Sequence, residues 1–321
     1  MTDLPDETPF QLNDTPFQKW VDAAQPRAQI WRTIVGVILI GVVWIVWTMA
    51  LMFGAIGLGL VQPEAFQAMF GMAAIPLTYA DTITMLLIAL GTIWGFTLGV
   101  WLVARWIHKR PFMSVVSSNR RFSLSQFGAG CLIAAGYLVV SMGWSFVSGN
   151  APRRSDLALE TWLLALAPIA VVVFVQAASE ELVFRGYLPQ QLAARFGSPI
   201  VWGLIPSVLF GLMHAANSPT DLTYALFYVA IATIMGMVMM AMVWRTGSLA
   251  AAMGFHFINN IGALTVAGAD QGPSSIALFV WSPAQLTASA SSELLIIGLL
   301  LAFVFSPFAP LPKGQALARR K

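Results

Sequence analysis

Charged residues are scarce in this sequence. Of its 321 residues, 10% are Asp, Glu, Lys or Arg and 58% are hydrophobic, whereas roughly 25% charged residues are usual in a soluble domain. This composition excludes an ordinary soluble globular protein. The apolar residues come in runs of about 20, the length that crosses a hydrocarbon core as a helix, and not in the alternating segments of a membrane β-barrel. The sequence therefore predicts an all-α fold, a polytopic transmembrane helical bundle.

Cysteine and a secretory leader are lacking as well. The single cysteine, Cys131, lies inside an apolar run, so neither an intrachain disulfide nor a cysteine-based metal site is expected. Residues 1–30 contain no apolar core, which argues against a cleaved signal peptide, and they are interpreted as a cytoplasmic leader. The pI near 9.2 would suggest nucleic acid for a soluble protein. In a membrane protein basic residues mostly record topology, and no nucleic-acid partner is expected.

The apolar runs predict a membrane domain over 31–312 with about eight spans, followed by a basic cytoplasmic tail at 313–321. The predicted spans are 33–60, 82–107, 127–148, 161–184, 199–216, 222–244, 248–267 and 293–309. With this arrangement, 15 of the 17 Lys and Arg residues fall on one face, and only Arg153 and Arg154 fall on the other. The positive-inside rule then predicts that both termini are cytoplasmic and that 268–292 faces outward, as in a bacterial inner membrane protein.

Ionisable side chains inside apolar spans are costly, so each of them is a candidate functional residue. Among the three histidines, His108 lies in the basic segment WIHKR and is predicted to be solvated or to face lipid headgroups. His214 and His256 lie within apolar runs, as do the adjacent Glu180 and Glu181. These four side chains are the candidates for chemistry.

The acidic pair is followed by an arginine at helical spacing. Glu181 and Arg185 are four residues apart, which places them on one helix face, so Glu181 can stay ionised beside the guanidinium. Glu180 is turned by about 100° and lacks that partner, so it is predicted to be the free carboxylate, the kind of group that acts as a general base. The structural alternative is a buried Glu–Arg pair with Glu180 facing water.

Each histidine also has a partner at the same spacing, Phe210 for His214 and Asn260 for His256. A carboxylate, two imidazoles and an amide in a dry cavity would supply a base for water and donors for an oxyanion. Glu180, His214 and His256 could instead hold a divalent metal such as zinc with an open position for water. The HExxH motif is absent, and the alternative for each histidine is a hydrogen-bonded packing residue.

Taken together, these residues resemble the CPBP or Abi family of intramembrane proteases, which includes the CAAX prenyl endopeptidases of the Rce1 type. The family pattern is EExxxR, FxxxH and then HxxxN or HxxxD, each on its own membrane helix. The matching residues are Glu180, Glu181, Arg185, Phe210, His214, His256 and Asn260. The resemblance covers 160–265, which is interpreted as the catalytic core.

The resemblance implies a role for each matched residue. Glu180 with His214 would activate the attacking water, and His256 with Asn260 would stabilise the oxyanion. The supporting residues would be Glu181, Arg185 and Phe210. The implied function is an intramembrane endopeptidase that cuts a membrane-associated peptide or protein within or beside the lipid bilayer, with metal dependence left open.

Two other classes of function fit parts of the sequence. A proton-coupled transporter also uses buried Glu and His, but the sequence lacks two similar halves with matched broken helices. A catalytically silent scaffold or resistance factor is the other alternative, and the complete set of motif residues argues against it.

The predicted span boundaries place two of the candidates at different depths. A span that starts near Pro199 puts His214 roughly 22 Å further along the helix, whereas Glu180 lies near the inner end of the preceding span. Three arrangements would remove the conflict. The span of Glu180 continues past Arg185, the span of His214 starts outside the bilayer, or the link after His214 dips into a water-filled cavity.

Overall fold

The computed structural model describes residues 15–62, 78–215, 222–270 and 276–312. The helices in these ranges are α1 (Pro16–Asp22), α2 (Ile30–Gly57), α3 (Tyr79–Thr92), α4 (Trp94–Trp106), α5 (Met113–Val116), α6 (Leu124–Val147), α7 (Leu159–Glu181), α8 (Leu188–Ala193), α9 (Ile205–Met213), α10 (Leu222–Thr246), α11 (Ala250–Ile261) and α12 (Pro283–Phe305). Three π-helical turns adjoin them at Leu182–Tyr187, Ile200–Leu204 and Gly262–Val266, and a short 3₁₀ helix covers Gln25–Arg27.

Six helical elements in the described ranges are long and apolar enough to cross a membrane. They are Ile30–Gly57, Tyr79–Trp106, Leu124–Val147, Leu159–Ala193, Leu222–Thr246 and Pro283–Phe305. The polytopic helical bundle is therefore confirmed, but the number of eight spans is not. The predicted spans 199–216 and 248–267 are largely helical but shorter, as Ile200–Met213 and as α11 with its π-helical turn.

The last span begins earlier than the predicted residue 293. The hydroxyl of Ser282 accepts a hydrogen bond from the backbone N–H of Gln285, whose side chain accepts one from the Ser282 N–H, which completes a capping box at the start of α12. Pro283 occupies the first helical turn, where its missing N–H costs nothing. The segment 283–292, which the sequence places within the outward-facing stretch 268–292, is therefore helix.

A small sheet joins two connections at one end of the bundle. Strand β3 (Phe279–Trp281) pairs antiparallel with β1 (Arg153–Arg154) and parallel with β2 (Ala267–Ala269). The sheet thus holds the α6–α7 connection against the α11–α12 connection. The sequence predicts both connections on the same outer face, and the pairing agrees with that grouping.

The other end of the bundle is covered by the N-terminal segment. Trp20 of α1 is fully buried, its Nε1 donates to the Val115 carbonyl at 2.8 Å, and its own carbonyl accepts from Gln190 Nε2 at 2.6 Å. The part of the predicted leader that the structure describes, from residue 15 onward, is thus folded against the helices.

His108 lies beneath this covering segment. Its Nδ1 lies 3.0 Å from the Arg27 carbonyl oxygen and its Nε2 lies 3.0 Å from the Tyr187 hydroxyl, and only 3% of the residue is exposed. The prediction that His108 is solvated is therefore wrong, because the N-terminal segment folds back over the basic loop. Burial and the nearby Arg110 charge lower the pKa of His108 to about 4.

Close packing against α6 fixes the position of α11. A side chain added at Gly130 would collide with the carbonyl of Ala251, and one at Gly254 would collide with the carbonyl of Phe127. Glycine at both positions lets the two backbones approach closely, as is common between membrane helices. The other side of α11 packs against α7, and this second interface contains most of the candidate residues.

Candidate active site

The candidate residues come from three neighbouring parts of the chain. Glu180 and Glu181 end α7, and Arg185 lies in the π-helical turn that follows. Phe210 lies on α9, with His214 directly after that helix. His256 and Asn260 lie on α11. All seven residues of the predicted motifs are within the described ranges.

Glu181 is the centre of a buried charged cluster. Its Oε1 lies 2.9 Å from Arg185 Nη1 and 2.8 Å from His256 Nδ1. Both Glu181 and Arg185 are fully buried. The pairing of Glu181 with Arg185, expected from their spacing, is therefore present, and the same carboxylate oxygen also contacts an imidazole on another helix.

Glu180 reaches the opposite side of the same imidazole. Its Oε2 lies 3.7 Å from His256 Nε2, and Glu180 is buried. A carboxylate paired with a guanidinium can only accept hydrogen bonds, so we assign the Nδ1 proton of His256 to the bond with Glu181. The second ring nitrogen, Nε2, then faces Glu180, and His256 lies between the two carboxylates.

One aromatic ring contacts both histidines. The Phe210 ring centroid lies 4.4 Å from that of His214 and 5.8 Å from that of His256. Arg185 Cζ lies 3.9 Å from the centre of the same ring, within the range of a cation–π contact. Phe210 therefore contacts both histidines and the guanidinium, which gives the phenylalanine of the FxxxH pattern a packing role.

The ring of His214 is held by a hydrogen bond to a backbone carbonyl. Its Nδ1 donates to the Phe210 carbonyl at 2.7 Å, because a carbonyl oxygen can only accept. Among the described residues, no hydrogen bond or ion pair joins His214 to Glu180. The direct imidazole contact of Glu180 is with His256.

The structure shows where Glu180 lies along its helical element. The helical element Leu159–Ala193 runs on beyond Arg185 through the π-helical turn and α8. Glu180 is therefore an internal residue of a long helical element and not a residue at its inner end. This continuation corresponds to the first of the three arrangements that the sequence allows.

One polar residue at this interface, Gln176, is not among the candidates predicted from the sequence. Gln176 Oε1 accepts a hydrogen bond from Asn260 Nδ2 at 3.0 Å, and Gln176 is buried on α7. The available signal was an isolated amide in the apolar run VVVFVQ, four residues before Glu180 and so on the same helix face.

The three residues considered as metal ligands do not form a metal-binding group. In the described ranges no group of three or more His, Cys, Asp or Glu side chains is arranged to hold a metal ion. Glu180, His214 and His256 therefore do not fit a three-ligand site in this arrangement.

Fold and site define a polytopic helical membrane protein with a buried carboxylate–imidazole cluster. Residues 161–262 match the family model described as type II CAAX prenyl endopeptidase Rce1-like, which confirms the resemblance for this segment. The chain is also 31% identical over 174 residues to the uncharacterized protein YyaK of Bacillus subtilis (strain 168), and the match covers 51% of this chain. It covers 54% of YyaK, so the chain spans about half the length of that relative. No solved structure matches the chain.

Proposed function

We propose that this protein is an intramembrane endopeptidase of the CPBP type, which hydrolyses a peptide bond of a membrane-associated peptide or protein with a water activated by Glu and His. The observation that carries the proposal is the position of His256 between Glu180 and Glu181. Buried charges are costly unless they are paired, and here one carboxylate is paired with Arg185 while the other has no hydrogen-bonded cation among the described residues. The match of 161–262 to the endopeptidase family supports the same conclusion.

Glu180 is proposed as the general base. As the water oxygen bonds to the carbonyl carbon, Glu180 accepts one of its protons, and the π electrons of the carbonyl move to its oxygen. Collapse of this intermediate breaks the C–N bond. The proton held on Glu180 then passes to the leaving nitrogen, so the products are a carboxylic acid and an amine.

His256 and Asn260 are proposed to stabilise the oxyanion. As an oxyanion donor, His256 must carry a proton on Nε2, the nitrogen near Glu180, as well as the Nδ1 proton that Glu181 accepts. Asn260 supplies an amide N–H one helical turn away. Donors fixed before the reaction are effective because they need no reorganisation when the charge develops.

His214 is proposed as a second partner of the reacting water. Its Nδ1 proton is held by the Phe210 carbonyl, which leaves a lone pair on Nε2 for a proton of that water. The water would then lie between His214 and Glu180, which have no direct contact. Glu181, Arg185 and Phe210 are proposed to hold these groups in place.

The topology is proposed to place both termini in the cytoplasm. The asymmetry of basic residues carries this statement, and it is supported by the grouping of connections at the two ends of the bundle. The N-terminal segment, the loop around His108 and the α10–α11 connection lie together at one end, and the sheet lies at the other.

The test compares the cleaved termini of native membrane proteins after incubation with purified wild-type protein or with variants. Glu180→Ala should yield none of the new termini that the wild type yields. Glu160→Gln is a matched control, because Glu160 is an exposed carboxylate on the same helix α7, and it should cleave as the wild type does. Termini that are the same with wild type and Glu180→Ala would refute the proposed function.

A further inference from the structure

The interface between α7 and α11 contains two polar contacts at successive helical turns. Glu180 faces His256 with 3.7 Å between Oε2 and Nε2, and Gln176 faces Asn260 with 3.0 Å between Oε1 and Nδ2. Gln176 precedes Glu180 by four residues and Asn260 follows His256 by four residues, so the two contacts involve the same helix faces. Gln176 is therefore adjacent to the proposed catalytic residues although it belongs to none of the three motifs.

In the structure, Gln176 contacts the NH₂ end of the Asn260 amide. A carboxamide can turn by 180° and exchange its oxygen for its nitrogen with little change in shape. In the structure Gln176 presents its oxygen, which can only accept, so the NH₂ group of Asn260 must face α7. Asn260 Oδ1 accepts from Asn259 Nδ2 at 3.3 Å, a longer contact that agrees with the same orientation.

This orientation suits an oxyanion donor. One N–H of Asn260 Nδ2 is used by Gln176, and the second N–H of the same group is left for a substrate oxygen. With the amide turned over, the Asn260 oxygen would face the developing negative charge and repel it. Gln176 itself is 5% exposed, so its oxygen is shielded from competing solvent.

We propose that Gln176 is a positioning residue for the hydrolysis, which acts by holding the Asn260 amide with its NH₂ group toward α7. The inference rests on the proposed function, because it assigns Gln176 to the same oxyanion site. It adds a residue outside the three sequence motifs to the functional machinery.

The experiment measures kcat and KM on a quenched fluorescent peptide that spans a cleavage site found in the proteome comparison. Gln176→Met removes the acceptor at similar volume and should lower kcat by about tenfold or more with KM little changed, since the donor acts mainly in the transition state. Gln176→Glu keeps an acceptor and should retain most of the wild-type kcat at the plateau of its own pH profile. Gln191→Met is the matched control, because Gln191 is buried on the same helical element and its side chain has no hydrogen-bond partner among the described residues; it should cleave as the wild type does.

Coupling to Asn260 separates a positioning role from a structural one. The double variant Gln176→Met with Asn260→Ala should be no slower than Asn260→Ala alone, because the two residues act as a unit. If Gln176→Met fails to fold, Gln176→Asn, which withdraws the oxygen by one methylene and keeps the polarity, should show the same loss and the same coupling. If the losses of kcat from Gln176→Met and Asn260→Ala multiply in the double variant, or if Gln176→Met keeps the wild-type kcat, the inference is overturned. An inactive Glu180→Ala variant would in that case still uphold the proposed function. A Glu180→Ala variant that cleaves normally would overturn both.

Discussion

Removal of the Arg185 guanidinium should destabilise the fold as well as stop cleavage. Arg185 is fully buried, donates to Glu181 at 2.9 Å and lies 3.9 Å above the Phe210 ring. Loss of one partner of a buried ion pair costs about 3–5 kcal/mol, because the other charge is left uncompensated. Arg185→Met should therefore lower the free energy of unfolding by an amount in this range.

The two single variants should differ in how much unfolding free energy they lose. After Arg185→Met, Glu181 still has the His256 imidazole at 2.8 Å, so the loss should lie near the lower limit, about 3 kcal/mol. After Glu181→Met, Arg185 loses its only hydrogen-bonded acceptor among the described residues, and its Nε and Nη2 already have none. That loss should lie near the upper limit, about 5 kcal/mol.

The double variant distinguishes stability from chemistry. Replacement of a whole buried ion pair by apolar side chains is often neutral, so the variant with both Glu181→Met and Arg185→Met should be more stable than either single variant. It should still be inactive, because His256 has lost the carboxylate that holds its Nδ1 proton. Thermal unfolding in detergent and cleavage of the quenched peptide are the two measurements.

The matched control is Arg153→Met. The exposed Arg153 side chain pairs with the partly buried Asp270 at 3.7 Å, and ion pairs open to solvent contribute about 0–1 kcal/mol, so the unfolding curve of the variant should stay close to that of the wild type. An Arg185→Met protein that melts like the wild type but does not cleave would refute the structural assignment of Arg185 and indicate a role in the chemistry.

Three further predictions concern the end of the bundle that the N-terminal segment covers and the topology. The pKa of His108 falls from 6.5 to about 4 on folding, so between these pH values the unfolded chain binds a proton that the folded chain does not. Stability should therefore fall as the pH drops from about 6.5 to about 4. His108→Gln should flatten this part of the melting-temperature profile, and an unchanged profile would contradict the burial of His108. Trp20→Ala should destabilise the protein by about 3–5 kcal/mol in thermal unfolding, whereas a loss below about 1 kcal/mol would mean that α1 is not packed as described. A reporter that works only in the cytoplasm should be active when it is fused after Lys321. Arg153→Cys in a Cys131→Ser background should react with an impermeant maleimide added from outside. The reverse pattern would contradict the orientation.

The sequence predicts the class of fold because membrane helices have a strong local signal. The length and polarity of an apolar run are enough to identify most spans. The boundary of α12 could not be predicted in this way, since PAQLTASASS is rich in small polar residues and has low hydropathy. Its helical structure depends on the Ser282 capping box, which a hydropathy window does not register.

The sequence also predicts the pairs within one helix and not the contacts between helices. The pairing of Glu181 with Arg185 follows from their spacing alone. The contacts of Glu181 with His256 and of Gln176 with Asn260 join residues that are 75 and 84 positions apart, and no local pattern contains that information. The error at His108 has the same origin, because its burial depends on a distant segment that folds over it.

The π-helical turn Leu182–Tyr187 sets the phase between two halves of one helical element. Each residue of an α-helix turns the chain by about 100°, and a π turn accommodates one residue more than an α turn. A deletion of one residue in this turn would therefore return it to α-helix, so Gln190 on α8 would still face Trp20 and Glu180, which precedes the turn, would still face α11. In an alignment of related sequences, a gap of one position between 182 and 187 would thus mark a protein that keeps both of these helix faces and in which only the turn around Arg185 is rebuilt.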